Sequence, residues 1–199
     1  MPGSTSSLTK HWTLSVTEEP NLQFSLPDHI KPMNNPPSRY VGPTGFHWLI
    51  NGLLGGTPRP GIFRDMEHDI EALERLGTKL LITLNENWEP PVAILNAHGI
   101  DSHQVKITDM LAPTYDQALA LCELVNEYLA EGRACIYHCR AGQGRTGTML
   151  AAQLIYYGAN SDAAIAKVKS CNQKWIESQA QIDFLLKFEG YLATTANDM

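Results

Sequence analysis

The run His138-Cys139-Arg140-Ala141-Gly142-Gln143-Gly144-Arg145-Thr146-Gly147 brings a nucleophile, two cations and three glycines into ten residues. It follows the short apolar run Ala134-Cys135-Ile136-Tyr137, which reads as a buried strand, and leads into a helix expected from about Thr146 to Tyr157. A strand-to-helix turn aims successive backbone N–H groups at one point, and the helix N-terminus adds partial positive charge. The result is an anion cradle the size of a phosphate, with Gly142 and Gly144 letting the backbone come close. Arg140, Ala141, Gly142, Gln143 and Gly144 are the residues expected to line it. Cys139 lies at its floor, where a cradle for anions also favours the thiolate, the form that can attack phosphorus. Arg145 closes the loop with a planar fork suited to two phosphate oxygens and to a pentavalent transition state. The Thr146 hydroxyl is placed to donate to the Cys139 sulfur, and His138 to orient the loop through its ring nitrogens. A Cys-x5-Arg spacing alone arises by chance. The strand before it, the glycines within it and the helix after it separate this stretch from a turn around an inert cysteine.

The elements that must hold this loop can be read from periodicity. Phe46 to Ile50 reads as a strand, and Leu53-Leu54 can begin another after a turn at Asn51-Gly52, with Gly55 to Gly61 a loop. Asp65 can cap a helix carrying Met66, Ile70, Leu73 and Leu76 and ended by Gly77. Lys79 to Leu84 is a strand-length apolar run, a short helix follows Pro90-Pro91, and His103 to Ile107 alternates as a strand. Thr114 and Gln117 form a capping box for a helix that Gly132 closes, and two further helices span 162–171 and 179–193. Alternating strands and helices predict an α/β fold: a single domain with a central, mostly parallel, twisted sheet flanked by helices. Ligands of such sheets bind beyond the carboxyl ends of strands, so the loops after Leu84, Ile107 and Tyr137 are the ones to search.

Residues 1–44 differ. They hold seven of the 12 prolines and keep no period, which predicts a Pro-rich N-terminal extension, partly ordered, before a catalytic domain at 45–194. Trp12, Leu14, Phe24 and Leu26 could dock it. The 199-residue chain carries 15 basic and 21 acidic residues, a net charge of −6, which argues against a nucleic-acid partner and against stable association with an anionic membrane. It has no run long and apolar enough to span a bilayer and no secretory signal. Its four cysteines, Cys122, Cys135, Cys139 and Cys171, sit in the second half without a CxxC pair, as expected of free thiols in a reducing, cytoplasmic setting. A thiolate at Cys139 would oxidise easily, and Cys135 or Cys171 could rescue it as a disulfide.

The chain resembles the protein tyrosine phosphatase superfamily, and within it the small atypical dual-specificity phosphatases, over roughly residues 45–192. The resemblance rests on Phe46-x-Trp48-Leu49 with Gly55, on Leu81-Ile82-Thr83-Leu84-Asn85-Glu86, on the loop from His138 to Thr148, and on Ile176-Glu177-Ser178-Gln179-Ala180-Gln181. It implies no metal or other cofactor. It also implies a general acid on a mobile loop, an Asp shortly before a Pro, which Asp109-Met110-Leu111-Ala112-Pro113 fits directly after a strand. Asp101 and Asp116 are the rivals: the first precedes that strand, and the second sits in a helical first turn, where an acid complements the dipole. Gln181 either lies near a catalytic water, as the family implies, or closes a capping box with Ser178. Asn85 and Glu86 can rim the pocket.

The reaction this implies is hydrolysis of phosphotyrosine, and of phosphoserine or phosphothreonine, in a phosphorylated protein substrate through a cysteinyl phosphate. The loop is also similar to that of a phosphoinositide phosphatase family with lysines where this chain has Arg140 and Gln143, so phosphoinositides or inositol polyphosphates are the alternative substrates. A non-catalytic phosphate-binding module, a sulfurtransferase and an arsenate reductase are the remaining classes with a cysteine loop.

Overall fold

Among residues 25–33 and 42–195, which the computed structural model describes, five strands and six helices alternate. They are β1 (His47–Ile50), β2 (Leu54–Pro58), α1 (Met66–Arg75), β3 (Thr78–Asn85), α2 (Val92–Ala97), β4 (Asp101–Ile107), α3 (Tyr115–Ala130), β5 (Ala134–Cys139), α4 (Gly144–Tyr156), α5 (Ser161–Cys171) and α6 (Gln179–Thr195). The sheet order is β1-β2-β5-β3-β4. Only β1 and β2 pair antiparallel, while β2, β5, β3 and β4 run parallel. The α/β sandwich expected from the alternation is the observed fold.

The two faces of the sheet are sorted by the period of two in its buried strands. Leu80, Ile82 and Leu84 of β3, with Cys135, Tyr137 and Cys139 of β5, join a large core under α3 to α6. Leu81 and Ile136 point the other way, into a smaller core with Phe46, Ile70, Leu73, Leu95 and Ile100. Helix starts follow the expected caps. The Asp65 carboxylate accepts from the amides of Glu67 and His68 at 3.0 and 3.3 Å. Thr114 and Gln117 form the reciprocal capping box at 3.2 and 3.0 Å.

One element differs from its expected form. Gly55 to Pro58 is not a loop but most of β2, wholly buried. Glycines, usually read as turn residues, serve here as missing volume: a Cβ on Gly55 would lie 2.8 Å from the His47 carbonyl oxygen, and one on Gly56 would lie 2.6 Å from Thr146 Cγ2. The strand can therefore pass directly beneath the start of α4. Elsewhere β4 starts earlier, at Asp101, β5 runs on through Cys139, and α4 begins at Gly144.

Leu26 packs half-buried against the large core and Ile30 is buried in it. Met33 and Asn51 fasten this segment to the β1–β2 turn, the Met33 amide donating to the Asn51 carbonyl at 3.1 Å and Asn51 Nδ2 to the Met33 carbonyl at 2.9 Å. Trp12, Leu14 and Phe24 lie outside the described residues.

Candidate functional site

Four parallel strands end at one edge of the sheet, so the loops after β2, β3, β4 and β5 meet there. β5 is flanked by β2 and β3, and its last residue, Cys139, is in register with Pro58. The turn at 140–143 is held from three sides. Arg59 N donates to the Arg140 carbonyl at 3.2 Å, Trp175 Nε1 donates to the Gly142 carbonyl at 3.0 Å, and Gly144 N donates to Glu177 Oε2 at 2.7 Å. Gly142 adopts a φ of 68°, and a Cβ there would lie 2.4 Å from Pro58 N and 2.5 Å from the Thr57 carbonyl carbon. Backbone on backbone leaves no room to relax, so only glycine lets the turn lie against β2. Gly147 is packed as closely, its virtual Cβ 2.4 Å from Trp175 Cβ.

Arg145 is the hub. It is 3% exposed, and its fork holds three acceptors. Nη1 donates to Glu86 Oε2 and, at 2.8 Å, to the Ile107 carbonyl, while Nη2 lies 2.8 Å from Asp109 Oδ1. The other oxygen of Glu86 accepts from the Asp109 amide at 3.1 Å, so one carboxylate ties the arginine to the loop after β4. Burial pushes the Glu86 carboxyl up, but backbone hydrogen bonds at Glu86 and Asp109 and the Arg145 charge outweigh it and hold the group below the usual carboxylate range. Arg145, Asp109, Glu86, Asn85, Arg59 and Arg140 line one cavity of about 370 Å³.

The three aspartates separate by geometry. Asp109 is bonded to Arg145 within the cavity. Asp101, at the start of β4 and so at the far edge, pairs with Arg133 and accepts from the Tyr128 hydroxyl at 2.7 Å. Asp116 accepts from the Tyr191 hydroxyl at 2.6 Å.

His138 is wholly buried. Nδ1 lies 3.3 Å from the Cys139 carbonyl and Nε2 lies 2.8 Å from Thr83 Oγ1. A carbonyl only accepts, so Nδ1 carries the proton and Nε2 accepts from the Thr83 hydroxyl. Burial pushes the imidazole down to about 4; the Cys139 carbonyl opposes this, and the charges of Arg59 and Arg145 add to it. The sign follows from linkage. The unfolded chain takes up a proton near pH 6.5 and the native one only near 4, so the stability that neutral His138 supplies is complete above 6.5 and is lost as pH falls between the two. The loss should reach roughly 3 kcal/mol. Urea midpoints from pH 7 to 4 should fall more steeply for the wild type than for His138→Gln; parallel slopes would contradict this.

Two expected roles need correction. The Thr146 hydroxyl is buried without a hydrogen-bond partner, so it makes no bond to the Cys139 sulfur; its methyl group faces Gly56 instead. The Gly144 amide is bonded to Glu177 rather than left free for a phosphate. Gln181 forms the capping box with Ser178: Gln181 N donates to Ser178 Oγ, and Ser178 N to Gln181 Oε1, both at 3.2 Å. Its Nε2 also donates to the Leu111 carbonyl at 3.3 Å. Gln143 precedes α4 without capping it, and Ala141 is exposed. Cys135 and Cys139 lie on one strand four residues apart, about 13 Å at strand rise, too far for a disulfide. Burial pushes the Cys122 and Cys135 thiols up.

Arg59, Trp88 and Glu177 were not singled out by the sequence reading. The Arg59 guanidinium lies 5.6 Å from the Trp88 ring centroid, and that ring meets His138 edge-on at 5.2 Å. Arg59 directly follows the residue in register with Cys139, a signal that appears only once β2 is recognised as a strand.

A family model described as "polymorphic toxin system, DSP-PTPase phosphatase" matches residues 55–159, more than half of the chain. The chain is 28% identical over 133 residues to the phosphatidylglycerophosphate phosphatase PTPMT1 of Arabidopsis thaliana, covering 65% of this chain and 37% of that protein. It is 26% identical over 155 residues to the phosphatidylglycerophosphatase and protein-tyrosine phosphatase 1 of Homo sapiens, covering 72% of each. The chain thus spans little more than a third of the plant relative's length. Among solved structures, Tk-PTP in its active form superposes with a TM-score of 0.66 at 24% identity, covering 74% of this chain and 97% of that one. Kinase associated phosphatase does so with a TM-score of 0.66 at 20% identity, covering 78% and 98%. With its parallel sheet, its cysteine at the end of the central strand and more than half its length under that model, the chain belongs to the DSP-PTPase phosphatase family, within the protein tyrosine phosphatase superfamily.

Proposed function

We propose that the protein hydrolyses phosphate monoesters through a cysteinyl-phosphate intermediate formed on Cys139. The observation that carries this reading is the Arg145–Asp109 pair at 2.8 Å in the cavity that opens where β5 delivers Cys139. An incoming phosphate replaces Asp109 on Nη2, while Glu86 and the Ile107 carbonyl keep Nη1 and so the plane of the fork. The Cys139 thiolate then attacks phosphorus. A P–S bond forms, the P–O bond to the leaving group breaks, and Asp109, which on release from Arg145 takes the proton of the incoming phosphate monoanion, passes that proton to the leaving oxygen. In the second step the Asp109 carboxylate takes a proton from water as that water attacks phosphorus. The P–S bond breaks, and inorganic phosphate and the thiolate are released. Arg145 holds the equatorial oxygens through both steps.

Two substrate classes fit this chemistry. The sequence reading put phosphotyrosine in proteins first. Phosphorylated polyol headgroups, which include the phosphoinositides and phosphoglycerol, gain support from Arg59 and Arg140 in the lining, from a cavity of about 370 Å³ that suits a small ligand, and from relatives whose names specify phosphatidylglycerophosphate. We take this second class as the better fit. No helix among the described residues is long and apolar enough to cross a membrane.

The test is phosphate release by wild type and Cys139→Ser from a phosphotyrosine peptide, a phosphothreonine peptide and a phosphatidylinositol monophosphate vesicle, run in parallel. Release from the vesicle that Cys139→Ser abolishes is the expected result. Cys139-dependent release from the peptides alone would return phosphoproteins to first place. Release that survives in Cys139→Ser would overturn the mechanism.

A further inference from the structure

The cavity is lined by three arginines and two carboxylates, and both carboxylates are spent on one arginine, so the unpaired positive charge is on one side. Arg145 is already neutralised by Glu86 and Asp109. Arg59 and Arg140 make no ion pair among the described residues, yet they leave adjacent backbones, Arg59 N donating to the Arg140 carbonyl at 3.2 Å. Pro58 and Cys139 are in register across β2 and β5, so the two arginines are the next residues of neighbouring parallel strands, about 5 Å apart at the backbone. Both side chains line the same cavity, so an anion bound there can meet two positive charges. Arg59 is also constrained. Its guanidinium is stacked near Trp88, and its Nε is buried without a hydrogen-bond partner. A buried donor left open at the wall of a cavity is a group awaiting an acceptor.

We propose that Arg59, with Arg140, forms a second anion subsite beside the cradle, which selects phosphate monoesters whose small polyol carries a second phosphate. This rests on the phosphatase reading for the position of the first phosphate at Arg145. The second phosphate bridges the two forks and fills the open Nε donor of Arg59. A polyol fits better than an acidic peptide because Arg145, Arg59 and Arg140 line one cavity of about 370 Å³, which leaves a short span between the two anion positions.

Equilibrium binding in the Cys139→Ser background tests the subsite without turnover. The ligands are inositol 1-phosphate, inositol 1,4-bisphosphate, and phosphatidylcholine vesicles with and without phosphatidylinositol 4-phosphate. The bisphosphate should bind about tenfold more tightly than the monophosphate. Adding Arg59→Gln should remove most of that preference, and Arg59→Lys should restore part of it by returning the charge without the fork. Binding of the vesicle with the same Arg59 dependence would place the second phosphate in a lipid, and binding of the free bisphosphate alone would make the substrate soluble; both support the subsite. Equal affinity for the two inositol phosphates, or a preference untouched by Arg59→Gln, overturns it. So does an Arg59-dependent preference seen only with an acidic phosphotyrosine peptide. Turnover by the Cys139-containing protein is scored separately: its absence with every ligand would sink the phosphatase reading while the binding ratio still decides the subsite.

Discussion

Arg145→Lys should lower kcat/KM by about 10²- to 10³-fold, the cost of removing one dominant transition-state donor. The guanidinium serves Glu86, the Ile107 carbonyl and Asp109 at once, and it is 3% exposed. An ammonium is a point charge with no flat fork, so it cannot hold two acceptors on one edge and still offer two donors to a phosphate. It would also leave Glu86 partly unpaired, with the loop after β4 no longer fastened through that carboxylate. Steady-state kinetics on p-nitrophenyl phosphate, with thermal unfolding as a folding control, measure this. A folded Arg145→Lys protein within threefold of wild type would show that the fork does not hold the reacting phosphate.

Asp109→Asn should lower kcat by about 10²- to 10⁴-fold on an alkyl phosphate, the range of general acid–base catalysis. The loss should be smaller on p-nitrophenyl phosphate, whose leaving group needs little help from a proton. Asp109 is largely exposed, so its ion pair with Arg145 contributes little to stability, and the variant should melt near the wild type. Asp101→Asn and Asp116→Asn serve as controls. Their partners are Arg133 and Tyr128 in one case and Tyr191 in the other, all away from the cavity, so activity should stay close to wild type. A loss that follows Asp116 or Asp101 instead would move the acid to another loop.

How much of this was legible depends on the range over which each signal acts. The cysteine turn, the Asp65 cap and the Thr114–Gln117 box are written within a few residues, and each is where its letters place it. The start of β2 is legible at Leu54 but its run through Gly55 to Pro58 is not, because Gly55 and Gly56 are selected by volume against α4 and β1, which no local period records. From the sequence Glu86 is no more than a rim residue. Its partner is Arg145, 59 residues further on, and only the crossover that puts β3 beside β5 joins them. Arg59 was missed for the same reason, since its neighbour Arg140 is supplied by the pairing of β2 with β5. The Thr146 bond was misjudged because sequence gives the residue but not its rotamer, and packing against Gly56 takes the methyl side.

The segment before α6 has a kinetic consequence. Glu177 binds the first amide of α4, while Ser178 Oγ donates to the Met110 carbonyl at 2.7 Å and Gln181 Nε2 to the Leu111 carbonyl. Met110 is held at a φ of 62°, a conformation that costs a non-glycine residue and is retained because its neighbours fix it. One short stretch of chain thus braces the turn after Cys139 and the loop after Asp109 against each other. In the proposed mechanism the entropy of bringing Asp109 and Cys139 together is spent during folding rather than at each turnover. Loosening the brace with Ser178→Ala would move that cost into the catalytic cycle, leaving the chemistry intact but making each encounter less often productive.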